Sequence, residues 1–328
     1  MRGSVLLLST VFCLIAPSVQ AAGVRFFDVP AEASSPKLTG AVWYPCDAPQ
    51  QETKVGNRVI TGTKDCPIIG GKLPLVVVSH GRTGSSIGHH DTNAALADAG
   101  FVVAAINHPG DTYSDSNRVD DLSVLVERPA DIKRLVDFML DGWPDASKID
   151  RERIGLFGFS RGGYTGLVVV GGNPELRKGL PSCIGSTLHA CQQLENSEIP
   201  TAPPIHDPRI KAAVIVDPGF GFLFPAENLK AVKVPIQLWS SDPELRANYL
   251  SGCCALGIKD RLPSKPDFHL ATNAIHFSFL ARCSSEDQKD MPRFCSDAPG
   301  FDRVAFHKDF HAAVIAFFRD HLVETAKP

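Results

Sequence analysis

A chain of 328 residues carrying 33 basic and 36 acidic side chains, a formal net charge of −3, presents no basic excess for a nucleic-acid partner. Its length suits one large domain or two, and no apolar run after residue 22 is long enough to span a bilayer. The chain opens with Arg2, an apolar stretch from Val5 to Ala16, a break at Pro17-Ser18 and small residues at Ala21-Ala22. That layout predicts a secretory signal peptide over 1–22, cleaved after Ala21 or Ala22, and a mature secreted or periplasmic chain over 23–328. Thr10-Val11-Phe12 before Cys13 does not resemble a lipoprotein cleavage box. With Cys13 removed, Cys46, Cys66, Cys183, Cys191, Cys253, Cys254, Cys283 and Cys295 remain. An even count in an exported chain predicts disulfides. Proximity favours Cys46–Cys66 and Cys183–Cys191. Cys283 and Cys295 would then pair with Cys253 and Cys254, or with each other.

Short apolar runs predict strands at Val24–Val29, Leu38–Tyr44, Leu75–Ser79, Val102–Asn107, Ile154–Phe157, Ala212–Val216, Pro235–Trp239 and Phe268–Ala271. Amphipathic runs between and after them predict helices at Asp91–Ala99, Val119–Leu140, Gly162–Val170 and Lys308–Val323. Arg128-Pro129 predicts a break in the second helix, before Ile132, Leu135, Val136 and Met139 form one face. The alternation implies an α/β architecture, a mostly parallel twisted sheet with helices on both faces. Residues 171–208, rich in Gly, Pro and polar side chains, read as a small disulfide-bearing, cap-like insertion.

The strand over Ile154–Phe157 runs into Gly158-Phe159-Ser160-Arg161-Gly162 and then into a helix. A serine between glycines on so tight a strand-to-helix turn is held with its hydroxyl exposed at the carboxyl edge of the sheet, as a nucleophile requires. A base and an acid must follow in chain order. His276, just past the last predicted strand, is the candidate base. The alternatives are poorly placed: His189 and His206 in the insertion, His269 in a strand, and His307, His311 and His321 on the terminal helix. Asp217 and Asp242 each end a predicted strand, and either could orient the imidazole. The turn Ser79-His80-Gly81-Arg82 supplies the Arg82 N–H, which with that of Arg161 would form an oxyanion hole. His80, His108 and Phe220 are candidate substrate contacts. His307 and His311 share a helix face, but no Glu stands between them in an H-E-x-x-H pattern, so the reading assigns no metal and no cofactor.

On these residues the chain resembles the α/β-hydrolase superfamily, and more closely the exported bacterial proteins called predicted dienelactone hydrolases, relatives of plasma-type platelet-activating-factor acetylhydrolase. The shared stretches are Ser79–Gly81, Asn107–Asp111, Gly158–Gly162, Asp217–Gly221, Ile275–Leu280 and Cys295–His307. The resemblance implies an α/β-hydrolase fold and a serine ester hydrolase for short acyl or lipid-like esters. It also prefers Asp217 as the acid, over Asp242 and the more remote Glu244. Dienelactone hydrolase itself uses cysteine where Ser160 stands. A cutinase-like or polyester hydrolase, an amidase, or a non-catalytic binding module of the same fold are the competing expectations.

Overall fold

The computed structural model describes residues 21–247 and 254–323. The first part of the chain is β-rich. Strands β1 (Ala21–Val29) and β2 (Leu38–Cys46) form an antiparallel hairpin, followed by a small hairpin of β3 (Glu52–Val55) and β4 (Arg58–Thr61) and by the short β5 (Thr63–Lys64). An alternating section comes next, with β6 (Leu73–Ser79), α1 (His90–Asp98), β7 (Val102–Asn107), α2 (Leu122–Asp137), β8 (Ile149–Phe159) and α3 (Arg161–Val169). The remaining elements are α4 (His189–Glu195), β9 (Ile210–Val216), β10 (Ile236–Ser241), α5 (Ala255–Arg261), β11 (Asp267–Ala271), α6 (Ser285–Asp290), α7 (Pro292–Cys295) and α8 (Arg303–Leu322).

Nine strands make one sheet in the order β11-β10-β9-β8-β6-β7-β2-β1-β5. From β11 through β7 every neighbour is parallel, whereas β2 runs antiparallel to both β7 and β1. Because side chains alternate along a strand, each central strand feeds two cores. Leu75 and Val77 of β6 and Ile154 and Leu156 of β8 pack under α2 and α3. Val76, Val78, Phe157 and Phe159 pack under α1 and α8. Doubly covered strands read as the continuous apolar runs that made them visible in the sequence.

All eight predicted strands are present. The β3–β4 hairpin and β5 were not foreseen; their polar residues carry no apolar alternation, and the turn depends on Gly56 at φ +62°. No break occurs at Pro129: α2 runs through it, because Arg128, Pro129, Asp131 and Ile132 are drawn inward and burial outweighs one lost backbone hydrogen bond. The terminal helix starts five residues earlier than expected, where the Asp302 carboxylate accepts from the N–H groups of Val304 and Ala305. Of the expected leader only Ala21 and Ala22 fall within the described residues, where they open β1 opposite Cys46 and Pro45.

Disulfides join Cys46 to Cys66, Cys183 to Cys191 and Cys283 to Cys295. Cys254 is also disulfide-bonded, and Cys253 lies outside the described residues. Residues 171–208 reach the loop after β9, where the Glu175 N–H donates to the Leu223 carbonyl at 2.8 Å. They pack beside α2 and α3, with Gln193 accepting from the Leu122 N–H at 2.8 Å and Asp207 donating its N–H to the Val169 carbonyl at 2.9 Å.

Phe310 anchors α8 to the sheet, fully buried against Trp239 (4.9 Å between centroids), Phe279 (5.6 Å) and Phe306 (5.7 Å). Phe310→Ala is expected to cost about 3–5 kcal/mol, read as a lowered midpoint in equilibrium urea unfolding.

Candidate active site

Ser160 follows β8 directly and caps α3 with φ 56° and ψ −117°, a conformation that side-chain-bearing residues rarely adopt. Steric necessity explains the flanking glycines. A Cβ on Gly158 would overlap the carbonyl of Gly162, and one on Gly162 would overlap the carbonyl of Ser79 at the end of β6. The turn is pinned by the Ser160 N–H on the Val216 carbonyl and the Gly219 N–H on the Ser160 carbonyl, both 2.9 Å.

The Ser160 hydroxyl lies 2.9 Å from His276 Nε2, and His276 Nδ1 lies 2.6 Å from Asp217 Oδ2. With the carboxylate accepting from Nδ1–H, Nε2 is left to accept from the serine. Asp217, buried at the end of β9 with φ 41°, also accepts from the Ser241 N–H (3.0 Å) and hydroxyl (2.7 Å). Three donors therefore fix its orientation. Asp242 is engaged differently: Oδ1 takes the Glu244 N–H and Oδ2 the Asn273 N–H, which ties the loop before His276 to the end of β10. Glu244 is exposed on a short 3-10 turn. Below His276, Phe159 stacks on the imidazole at 4.7 Å. Ser278 stiffens the turn, its hydroxyl accepting from the Ile275 N–H (3.0 Å) and donating to Asp297 (2.6 Å), which is itself paired with Arg303.

No protein-family model matches the chain, and no curated protein matches it. Its structure is similar to that of a ferulic acid esterase from Streptomyces cinnamoneus, with a TM-score of 0.63 at 19% sequence identity, over 96% of this chain and 93% of that one. The chain has the α/β-hydrolase fold.

The turn after β6 packs against the start of α3, and Arg82 and Arg161 both line the cavity at Ser160. Their side chains point elsewhere: Arg82 pairs with Asp120 at 2.8 Å, and Arg161 with Asp111 at 2.8 Å. Asp111, fully buried, holds the surroundings together. It accepts from the Thr83 N–H (3.0 Å), from Arg128 (2.6 Å) and from Arg161, joining the turn after β6 to α2 and α3. Burial alone would raise its carboxyl, but the two guanidiniums outweigh burial and hold it below the usual range. Arg128 also donates to the Ser79 hydroxyl and to the His80 carbonyl. Burial lowers its guanidinium to about 10, so it stays charged at neutral pH.

His80 and His108 serve this network. His80 borders the cavity, yet it is almost wholly buried and accepts the His108 N–H on Nε2 at 3.1 Å. Burial, then the Arg128 charge, pushes its imidazole down to about 3. His108 is not a lining residue; it is fully buried between Ser79 (3.0 Å) and Asp131 (3.0 Å), and burial holds it well below its ordinary value. Burial likewise pushes Asp131 up to about 7. Phe220 does line the cavity, set at φ 56° with Arg161 above its ring at 5.6 Å.

The cavity measures 420 Å³ and is lined by none of residues 171–208. Its outer wall is the segment after His276, with Phe277, Leu280, Met291 and Phe294, stapled by Cys283–Cys295. The β3–β4 hairpin meets this wall through Arg58 on Met291 and Asn57 on Asp290 (3.0 Å). Asp111, Arg128 and this wall were missed by the sequence reading. For the wall a signal existed, an aromatic-rich stretch between two cysteines directly after the histidine.

Arg128→Met leaves Asp111 without one of its two cations in a dry environment. A loss of about 3–5 kcal/mol in unfolding free energy is expected by chemical denaturation.

Proposed function

We propose that the protein is an exported serine hydrolase of carboxylic esters that works through an acyl-enzyme. The observation that carries this reading is the unbroken relay of Ser160 Oγ, His276 Nε2 and Nδ1, and Asp217 Oδ2, at 2.9 and 2.6 Å. Ser160 attacks the ester carbonyl while His276 takes its proton. The imidazolium so formed is stabilised by Asp217, and the oxyanion by the N–H groups of Arg82 and Arg161. His276 returns the proton to the leaving alcohol. Water, activated by the same imidazole, then releases the acid. Export is supported by the leader-like start of the sequence and by three disulfides among the described residues.

The substrate class follows from the cavity. Its volume suits a small molecule. Phe220, Phe222, Phe277 and Phe294 favour an apolar acyl or alcohol group. Short acyl and lipid-like esters fit this description, in keeping with the resemblance to acetylhydrolase-type enzymes. The ferulic acid esterase neighbour adds aromatic acyl esters to the set worth assaying. Among the described residues, no helix is long and apolar enough to cross a membrane.

Hydrolysis of a p-nitrophenyl ester chain-length series, with a feruloyl ester and an anilide alongside, tests the reading. Activity is expected on the esters, highest where the acyl group fills the cavity. Ser160→Ala should lower kcat by about 10⁶-fold and Asp217→Asn by about 10⁴-fold. Asp242→Asn, which leaves the His276–Asp217 contact in place, should stay within roughly tenfold of the parent. An Asp242→Asn effect as large as that of Asp217→Asn would remove the assigned acid.

A further inference from the structure

On the face of the sheet covered by α1 and α8, Asp91 stands in the first turn of α1, and His307 and His311 lie one turn apart on α8. One ligand atom from each falls within 4.8 Å of the others. We propose that Asp91, His307 and His311 form a binding site for a divalent transition metal ion of the zinc class.

The tautomer of His307 carries the inference. Its Nε2 lies 2.8 Å from the Ser278 carbonyl oxygen, which can only accept, so Nε2 bears the proton. Nδ1 lies 2.7 Å from Asp91 Oδ2, an ion pair when the ring carries a second proton, yet the carboxylate is off the direction in which a ring N–H would point. A ring nitrogen and a carboxylate oxygen this close repel unless a positive centre lies between them. A proton on Nδ1 would be misdirected; a metal ion is not bound to that line. The same oxygen is 3.8 Å from His311 Nε2. A proton joins two of the three donors, whereas an ion joins all three.

Two of the three separations are close to what an ion needs. Zinc bonds of about 2.0–2.2 Å in tetrahedral geometry place ligand atoms about 3.3 Å apart. Asp91 and His307 would have to separate by a few tenths of an ångström, and His311 would have to approach by a similar amount. Two imidazoles and one carboxylate form a donor set that suits zinc. Donation from His307 to a backbone carbonyl is the outer contact that usually orients a metal-binding histidine. Thr92 Oγ1, now 3.1 Å from His311 Nε2, would yield that partner to the ion. His90 is excluded as a ligand through Nδ1, which accepts the Thr61 N–H at 3.1 Å. The three side chains are 21%, 7% and 16% exposed, leaving a path for the ion and for water as a fourth ligand.

Such an ion would clamp α1 to α8 and, through His307 and the Ser278 carbonyl, brace the turn that begins at His276. Its role is structural and independent of the proposed ester hydrolysis.

The test is calorimetric titration of the full exported chain, stripped with a chelator and free of any histidine tag, with zinc chloride. One saturable equivalent is expected, weakened at least tenfold in His311→Ala and in Asp91→Asn. Long-range ¹H–¹⁵N spectra of the histidines in the unaltered protein give a second readout that needs no variant. Zinc should move the ring nitrogens of His307 and His311. Absence of saturable binding, affinity unchanged in folded His311→Ala and Asp91→Asn, or shifts confined to other histidines would overturn the proposal.

Discussion

The site depends on a steric contact, the packing of the Gly158–Gly162 turn against the carboxyl end of β6. No side chain fits at Gly158 or Gly162, because the carbonyls of Gly162 and Ser79 occupy the space a Cβ would need. With the glycines in place, the turn closes tightly enough to hold Ser160 at positive φ, with its hydroxyl turned toward His276. The same closeness brings the start of α3 beside the turn after β6, so that Arg82 and Arg161 line one cavity. Backbone strain at a single residue, costing on the order of 1–3 kcal/mol, is offset by the two cores that clamp β8 between α3 and α8.

A second layer of control is electrostatic. Two acids end neighbouring strands, and their partners separate them. Asp217 is turned inward by Ser241 onto the imidazole, whereas Asp242 accepts from the backbone N–H groups of Glu244 and Asn273 in the flanking loops. Behind the oxyanion turn, Asp111 is held by two guanidiniums in a region without water access. A buried ion cluster of this kind adds little net stability over apolar packing. What it supplies is geometry, since one carboxylate ties together the turn after β6, α2 and the first residue of α3.

Much of this was legible in the sequence. The central strands were readable because burial on both faces demands unbroken apolar runs such as Leu75–Val78. The meeting of Ser160 with His276 was readable because a strand, a glycine-flanked turn and a histidine past the last strand impose strict local patterns. The choice between Asp217 and Asp242 was not, because it depends on side-chain direction at two equivalent strand ends. Arg128 was read as part of a helix break. Its significance comes from Asp111, seventeen residues earlier in the chain and reached only through the packing of α2. Residues 171–208 read as an insertion because of their composition, but composition does not tell that they leave the Ser160 cavity unlined. Asp91 and His307 meet across two helices far apart in the chain, beyond the reach of any local pattern.

The most direct measurement is reaction of the folded protein with a fluorophosphonate, followed by intact mass and peptide mapping. A serine activated by His276 predicts one adduct per chain, located on Ser160, absent after denaturation and strongly slowed in His276→Ala. No adduct, an adduct on another residue, or labelling unchanged in His276→Ala would contradict the account.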